Sequence, residues 1–141
     1  MMRFLLAGAG ALALLTVGSI ARADDGRLGI ELNRLDAQEG ACQAYLVMQN
    51  GTETAFSALV LDLVMFDPEG IIARRLAVDV APLRAGRTSI KVFAVDGLAC
   101  DRIGRILLND VLSCAGGGGE ALPDCYDRID PSTRTDTEFL N

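Results

Sequence analysis

Four cysteines are the residues of this sequence best suited to covalent chemistry. They are Cys42, Cys100, Cys114 and Cys125. No two of them have the C-x-x-C spacing of a redox-active pair, and no His or Lys stands next to a cysteine to lower the pKa of its thiol. In an exported protein, four cysteines typically form two disulfide bonds. We therefore expect structural disulfides, with a redox-active pair as the alternative.

Carboxylates within apolar segments are a second group of residues that could take part in catalysis, because paired carboxylates can support glycoside hydrolysis. The candidates are Asp62, Asp67, Asp79 and Asp110. Asp62 stands out, since residues 59–66 are otherwise apolar and a buried carboxylate needs a partner. Arg74 or Arg75, from the next segment, is the expected partner. We predict a structural ion pair or a solvent-facing Asp62, with a catalytic role as the alternative.

Several function classes are excluded or disfavoured by composition. The sequence contains neither His nor Trp, which rules out His-based triads, His metal sites and an imidazole pH switch. It contains no nucleophile elbow, P-loop or dinucleotide-binding motif. A formal net charge of −6 disfavours nucleic-acid binding. We expect no catalytic residues, no cofactor and no metal.

Positive charge is concentrated in one part of the chain. Residues 24–69 contain two basic and nine acidic residues, whereas residues 70–95 contain five basic and one acidic. The five basic residues are Arg74, Arg75, Arg84, Arg87 and Lys91. They predict a surface that binds an envelope protein with an acidic surface or segment. In the alternative interpretation, they neutralise the acidic remainder of the same domain.

The N-terminal segment 1–23 has the three parts of a secretory signal. Arg3 precedes an apolar run from Phe4 to Ile20, and Ala21-Arg22-Ala23 forms an A-x-A cleavage site. The alternative is a membrane anchor, but this run is short for spanning a bilayer. We expect cleavage and a mature protein that does not span the membrane, in the periplasm or secreted.

Strand-like segments separated by turn signals predict an all-β domain over residues 24–129, followed by a flexible C-terminal tail at 130–141. The segments are 28–35, 41–49, 56–66, 71–80, 88–95 and 103–112. The last of them also fits one face of a helix, but we favour a strand. Segments 56–66, 71–80 and 88–95 are expected to form an antiparallel meander. Together the segments predict a two-layer, immunoglobulin-like antiparallel sandwich of six to seven strands.

This zigzag of strands also predicts the disulfide pairing. Cys42 opens the second segment, and three further strand lengths return the chain to the same end of the sandwich at Cys100. Cys114 lies at the opposite end, where the glycine-rich stretch 116–119 connects it to Cys125. Because bridged cysteines need Cα atoms within about 7 Å, we predict Cys42–Cys100 and Cys114–Cys125.

Three stretches carry a resemblance to a known family. They are Tyr45–Gly51, Leu61–Gly70 and Leu83–Thr88. They are similar to the FxLYD-type and related bacterial immunoglobulin-like domains, in which one strand ends in Asn and a small residue, a second ends in an aromatic-Asp-x-x-Gly turn, and a Pro/Leu-x-x-Gly-x-Thr loop precedes the next. The chain also resembles small exported bacterial proteins to which no activity is assigned. The resemblance implies a fold and no mechanism.

These observations lead to one main functional expectation. The protein is predicted to be a non-enzymatic, disulfide-stabilised accessory or protein-binding module of the periplasm or the cell exterior. The alternative is a carboxylate-based hydrolase or a small-ligand binder of the cell envelope. An enzyme would need a concave site where Asp62 or Asp110 meets an arginine, whereas a binding module would need an exposed apolar or basic surface.

Overall fold

A computed structural model describes residues 26–141, so the predicted signal segment 1–23 lies outside the described residues. This part of the chain folds into eight strands and two short 3-10 turns. The strands are β1 (Leu28–Gln38), β2 (Ala41–Asn50), β3 (Phe56–Phe66), β4 (Ile72–Asp79), β5 (Thr88–Asp96), β6 (Arg105–Gly116), β7 (Ile129–Thr133) and β8 (Glu138–Leu140). The 3-10 turns are Cys100–Arg102 and Tyr126–Arg128.

The strands form two four-stranded sheets that pack face to face as a sandwich. Sheet I has the order β5-β2-β1-β7, and sheet II has the order β4-β3-β6-β8. The expected all-β sandwich is therefore confirmed. Two of the pairings are parallel and not antiparallel, because β7 runs parallel to β1 and β8 runs parallel to β6.

Alternation of side chains places one face of each sheet in a shared core. In β1, Leu28, Ile30 and Leu32 are buried while the residues between them face outward. In β3, Leu61 and Leu63 lie in the core. β3 is a central strand of sheet II, with β4 paired along one backbone edge and β6 along the other.

The ambiguous segment near the C-terminal half is a strand, as favoured by its sequence. It extends beyond the predicted range to become β6, which pairs with β3 on one side and β8 on the other. Ile106 and Leu108 point into the core. Pairing with β3 along the strand, and with β8 at Arg105–Leu107, satisfies backbone groups that a helix would have satisfied internally.

The predicted meander is wrong in its last strand. β3 and β4 form the expected antiparallel pair, but β5 pairs with β2 in the other sheet. The connecting segment 80–87 carries the chain across the edge of the sandwich, and its Leu83 is buried and bridges to Phe56. The basic segment is thus not a hairpin but two edge strands, one in each sheet.

The C-terminal segment 130–141, expected to be a flexible tail, instead contributes β7 and β8 to the sandwich. Phe139 is buried in the core, and the Thr137 hydroxyl donates a hydrogen bond to the carbonyl of Ile103. Arg134 forms an ion pair with Glu31. One buried ring and these polar contacts hold a segment whose composition is otherwise that of a loop.

Both predicted disulfide bonds are present. Cys42 bonds to Cys100 with a Cα–Cα distance of 4.9 Å, and Cys114 bonds to Cys125 with a Cα–Cα distance of 6.6 Å. The predicted same-end placement of Cys42 and Cys100 is correct, although its cause is the direct pairing of β2 with β5. Within residues 26–141, no helix has the length and apolarity needed to cross a membrane.

Candidate functional site

Asp62 and Arg75 form the ion pair that the sequence predicted. Arg75 Nε donates to Asp62 Oδ1 at 2.8 Å, Arg75 Nη2 donates to Oδ2 at 2.8 Å, and Asn109 Nδ2 donates to Oδ2 at 2.7 Å. The Asp62 side chain is 3% exposed, whereas that of Arg75 is 64% exposed. Because its chain neighbours point into the core, Asp62 lies on the outer face of sheet II, covered by these two partners.

The partners of Asp62 keep it ionised. The hydrogen bonds from Arg75, which are the largest cause, and from Asn109 lower the pKa of Asp62 below its ordinary value, and burial opposes them only in part. Arg75 is held in its charged form by the same pair, since its pKa is raised. Arg75, one of the five predicted binding residues, is therefore held in a structural contact. This agrees with the alternative interpretation, in which the basic residues neutralise acidic residues of the same domain.

Arg74 ties the two edge strands together. Its Nε donates to the carbonyl of Asp96 at 3.1 Å and its Nη2 donates to the carbonyl of Gly97 at 3.3 Å. Asp96 and Gly97 lie at the end of β5, so this contact places β4 and β5 at the same side of the sandwich. The Arg74 guanidinium is occupied by carbonyl groups but keeps its positive charge at the surface.

The loop that precedes β5 is held in place by a buried asparagine. Asn50 Nδ2 donates to the carbonyl of Arg84 at 3.2 Å, and the Asn50 backbone N–H donates to the carbonyl of Arg87 at 3.0 Å. Between them, Gly86 has a φ of +66°, a conformation that favours glycine. The loop is therefore pre-organised, with its two arginine side chains exposed.

Arg84, Arg87 and Lys91 form no ion pair within residues 26–141. Arg84 and Arg87 lie in the loop that leads into β5. Lys91 is half-buried on β5 opposite Leu46 of the core, so it faces the rim between the two sheets. These three residues are called the basic edge below.

Four of the six other arginines on the described part of the chain form ion pairs with acidic residues, whereas Arg105 lies over the ring of Phe66 and Arg128 has no ion pair. Arg102 pairs with Glu69 at 2.9 Å, Arg34 pairs with Asp36 at 2.6 Å, and Arg27 bonds to Asp130. The predicted set of five binding residues is thus divided by the structure. Arg74 and Arg75 are held by internal contacts, and the basic edge is left open to a partner.

The described residues also contain a shallow polar cavity of about 300 Å³ at the opposite end of β3 from the loop. Its lining residues are Asp67, Pro68, Glu69, Gly70, Gly104, Arg105 and Glu138. Neither Asp62 nor Asp110 is among them. The cavity lacks the apolar walls typical of small-molecule sites, and within residues 26–141 no three carboxylate or thiol side chains gather to hold a metal ion.

Asn50 is the residue whose role the sequence did not reveal, because an Asn-Gly-Thr stretch indicates only a local turn. Its side chain also accepts from the N–H and hydroxyl of Thr52 and donates to the carbonyl of Thr54. Only the burial of Asn50 distinguishes it from an ordinary turn asparagine. Burial cannot be read from a single sequence, so sequence analysis missed this residue.

Comparison with known proteins adds one structural neighbour. No protein-family model matches the sequence, and no curated protein is significantly similar to it. A solved structure of IrmA from Escherichia coli is similar, with a TM-score of 0.54 and 15% sequence identity, over 74% of this chain and 90% of that chain. At this identity the likeness concerns the fold alone, so the chain is a β-sandwich similar in architecture to IrmA.

Proposed function

We propose that the protein is an exported, non-enzymatic binding module of the periplasm or the cell exterior, and that its basic edge contacts an acidic surface or segment of an envelope protein. The observation that carries this proposal is the pre-organised, unpaired set of Arg84, Arg87 and Lys91. In a chain with more acidic than basic residues, three basic side chains without an acidic partner indicate a surface that is kept available.

Two further features support the proposal. The two disulfides suit an oxidising compartment, where a small domain gains stability that its core alone would not supply. The Asp62–Arg75 contact, the main requirement of the hydrolase alternative, lies on the outer face of a sheet and is closed by Asn109. We also propose, from the turn motifs alone, kinship with FxLYD-type domains.

The test is recovery of partners from an envelope extract of the source cells by the immobilised, oxidised protein. One variant replaces Arg84, Arg87 and Lys91 with Gln. A matched control removes the same number of charges from exposed arginines that pair with carboxylates, and replaces Arg34, Arg102 and Arg134 with Gln.

We expect the basic-edge variant to recover its partners about tenfold less well, the factor that about 1.4 kcal/mol of lost charge complementarity gives. The control should recover them as the unchanged protein does, because exposed ion pairs contribute little. Equal recovery by the basic-edge variant and the unchanged protein would overturn the proposal.

A further inference from the structure

We infer that β5 binds an acidic, extended segment of a partner protein by adding it to sheet I as a new edge strand. The inference rests on the proposed function, because it specifies the kind of partner that the basic edge takes. Three features of β5 carry it: an open backbone edge, exposed apolar side chains on one face, and positive charge at the rim.

The hydrogen bonds between β5 and β2 show which residues of β5 direct their backbone N–H and C=O groups toward β2 and which direct them away from it. The carbonyl of Arg87 accepts from the last residue of β2, and the N–H of Gly97 donates to the residue before β2. Odd-numbered residues of β5 therefore direct their backbone groups toward β2, and even-numbered residues direct theirs away. The hydrogen bond from Arg74 to the carbonyl of Asp96 agrees with this phase.

The open backbone groups are the N–H and C=O groups of Thr88, Ile90, Val92 and Ala94. Sheet I ends at β5, so no strand of the described chain pairs with them. β5 contains no proline, and an unpaired edge of this kind is a template for strand addition. Arg74 closes the edge at Asp96, which limits an added strand to the part of β5 before that residue.

The outer face of β5 offers apolar contacts to an added strand. Ile90 is 68% exposed and Val92 is 39% exposed. They lie beside Val47 and Tyr45 of β2, which belong to the same face. Apolar side chains at alternate positions of the added strand would pack against this row, as neighbouring strands do within a sheet.

The opposite face of β5 selects the charge of the partner. Lys91 is directed to the rim between the sheets and has no ion pair among the described residues, and Arg84 and Arg87 stand at the entrance to the strand. A segment with acidic residues on this face would pair with Lys91. A second copy of β5 would instead bring more positive charge to the same rim, and inward-pointing lysines on edge strands oppose such self-pairing.

The probe is a labelled peptide of about eight residues, the length of the open edge, in which Val and Glu alternate. Its binding to the oxidised, exported protein is measured by fluorescence anisotropy. Two further peptides carry N-methyl groups on every Val or on every Glu, and a third has the same composition with Val and Glu in separate blocks. Alternate residues of a strand direct their N–H groups toward the same neighbour, so only one of the two N-methylated peptides lacks the N–H groups that face β5.

We expect the alternating peptide to bind, one N-methylated peptide to bind about tenfold or more weakly, and the other to bind as before, because several backbone hydrogen bonds are lost only in the first. Amide hydrogen exchange at Ile90, Val92 and Ala94 should slow on binding, while that at Phe93, already in the ladder with β2, should not change.

A Val92→Pro variant gives an independent check, because it removes an open-edge N–H and no ladder bond to β2. This variant should no longer bind the alternating peptide, while its cooperative thermal unfolding shows that the domain is still folded. If it does not fold, the N-methylated peptides still decide the question.

The outcomes separate this inference from the proposed function. Equal binding of the alternating, blocked and N-methylated peptides, abolished in the Gln variant of the basic edge, would overturn strand addition and leave a purely electrostatic binding surface. If no acidic peptide binds and the Gln variant recovers all envelope partners, both proposals are overturned.

Discussion

The side chain of Asn50 bonds to two loops at once, and so it shows how one buried residue organises a surface. It accepts from Thr52 within its own loop and donates to the carbonyl of Arg84 in the loop before β5. Its fractional exposure is 2%. The position of Arg84 therefore depends on the Asn50 side chain, whereas the carbonyl of Arg87 is held by the Asn50 backbone N–H.

Replacing Asn50 with Ala should lower the free energy of unfolding by about 2–3 kcal/mol, because the buried N–H and hydroxyl of Thr52 lose their acceptor and two part-buried carbonyl groups lose their donor. Denaturant unfolding measures the effect. The matched control is Asn33→Ala, at an exposed asparagine of β1 that bonds only to Glu31, which should change stability by about 0.5 kcal/mol or less. Similar effects of the two substitutions would contradict the role assigned to Asn50.

Asp62 should make stability depend on pH in the acid range. Its pKa is lowered, first by Arg75, so ionised Asp62 stabilises the folded state above the ordinary carboxyl pKa of about 3.9. This contribution is lost as the pH falls through the folded-state pKa. We expect Asp62→Asn to cost about 1–3 kcal/mol near neutral pH and progressively less below about pH 4.

Urea unfolding of the unchanged protein and Asp62→Asn across this pH range checks the expectation. Glu69→Gln is the control, since Glu69 is an exposed carboxylate that also pairs with an arginine and should show little difference at any pH. A constant difference between the unchanged protein and Asp62→Asn from neutral to acid pH would refute the argument.

At the scale of the elements, β8 shows how little apolar surface is needed to place a strand. It has three residues, pairs in parallel with β6, and buries Phe139 in the core. The neighbouring β7 is anchored by Ile129, which is also buried. The two strands close the side of the sandwich opposite β4 and β5, where the sheets would otherwise have ended at β1 and β6.

Phe139→Ala should therefore lower the free energy of unfolding by about 3 kcal/mol, as removal of a buried ring does. Glu138→Ala, at the exposed neighbouring position of the same strand, should change it by about 0.5 kcal/mol or less. Guanidinium unfolding of both variants measures the difference. A dispensable flexible tail would give two equally small effects.

The whole molecule is stabilised by two bridges of different span. Cys42 and Cys100 are separated by 58 positions, and Cys114 and Cys125 by 11. A bridge restricts the unfolded chain more when it closes a longer loop. The two bonds also differ in place, since the first joins the start of β2 to the turn after β5 and the second joins β6 to the turn before β7.

Replacing both cysteines of the first bridge with Ala should lower the free energy of unfolding by about 4 kcal/mol, and the same change at the second bridge by about 3 kcal/mol. Equilibrium unfolding of the two variants under oxidising conditions gives both values. A larger effect of the second bridge would show that native-state packing, and not loop length, sets the order.

The sequence by itself determined the strands that bury an alternating face, from β1 to β6, and the disulfide pairs. Side-chain alternation and turn residues act over a few positions, so Leu28 to Leu32 or the Asp67–Gly70 turn can be recognised locally. The pairing of cysteines followed because any regular zigzag of strands puts Cys42 and Cys100 at one end.

Only the tertiary structure decided which strand lies beside β5, that β7 and β8 exist, and which basic residues remain unpaired. The first two depend on contacts between residues far apart in the chain, β5 with β2 and Phe139 with the core, and the third depends on which acidic side chains the fold brings beside each arginine. Such contacts form only when strands pair and pack, and the short polar strands have no periodicity long enough to predict them. For this reason the basic segment is visible in the sequence, whereas the open edge within it is visible only in the fold.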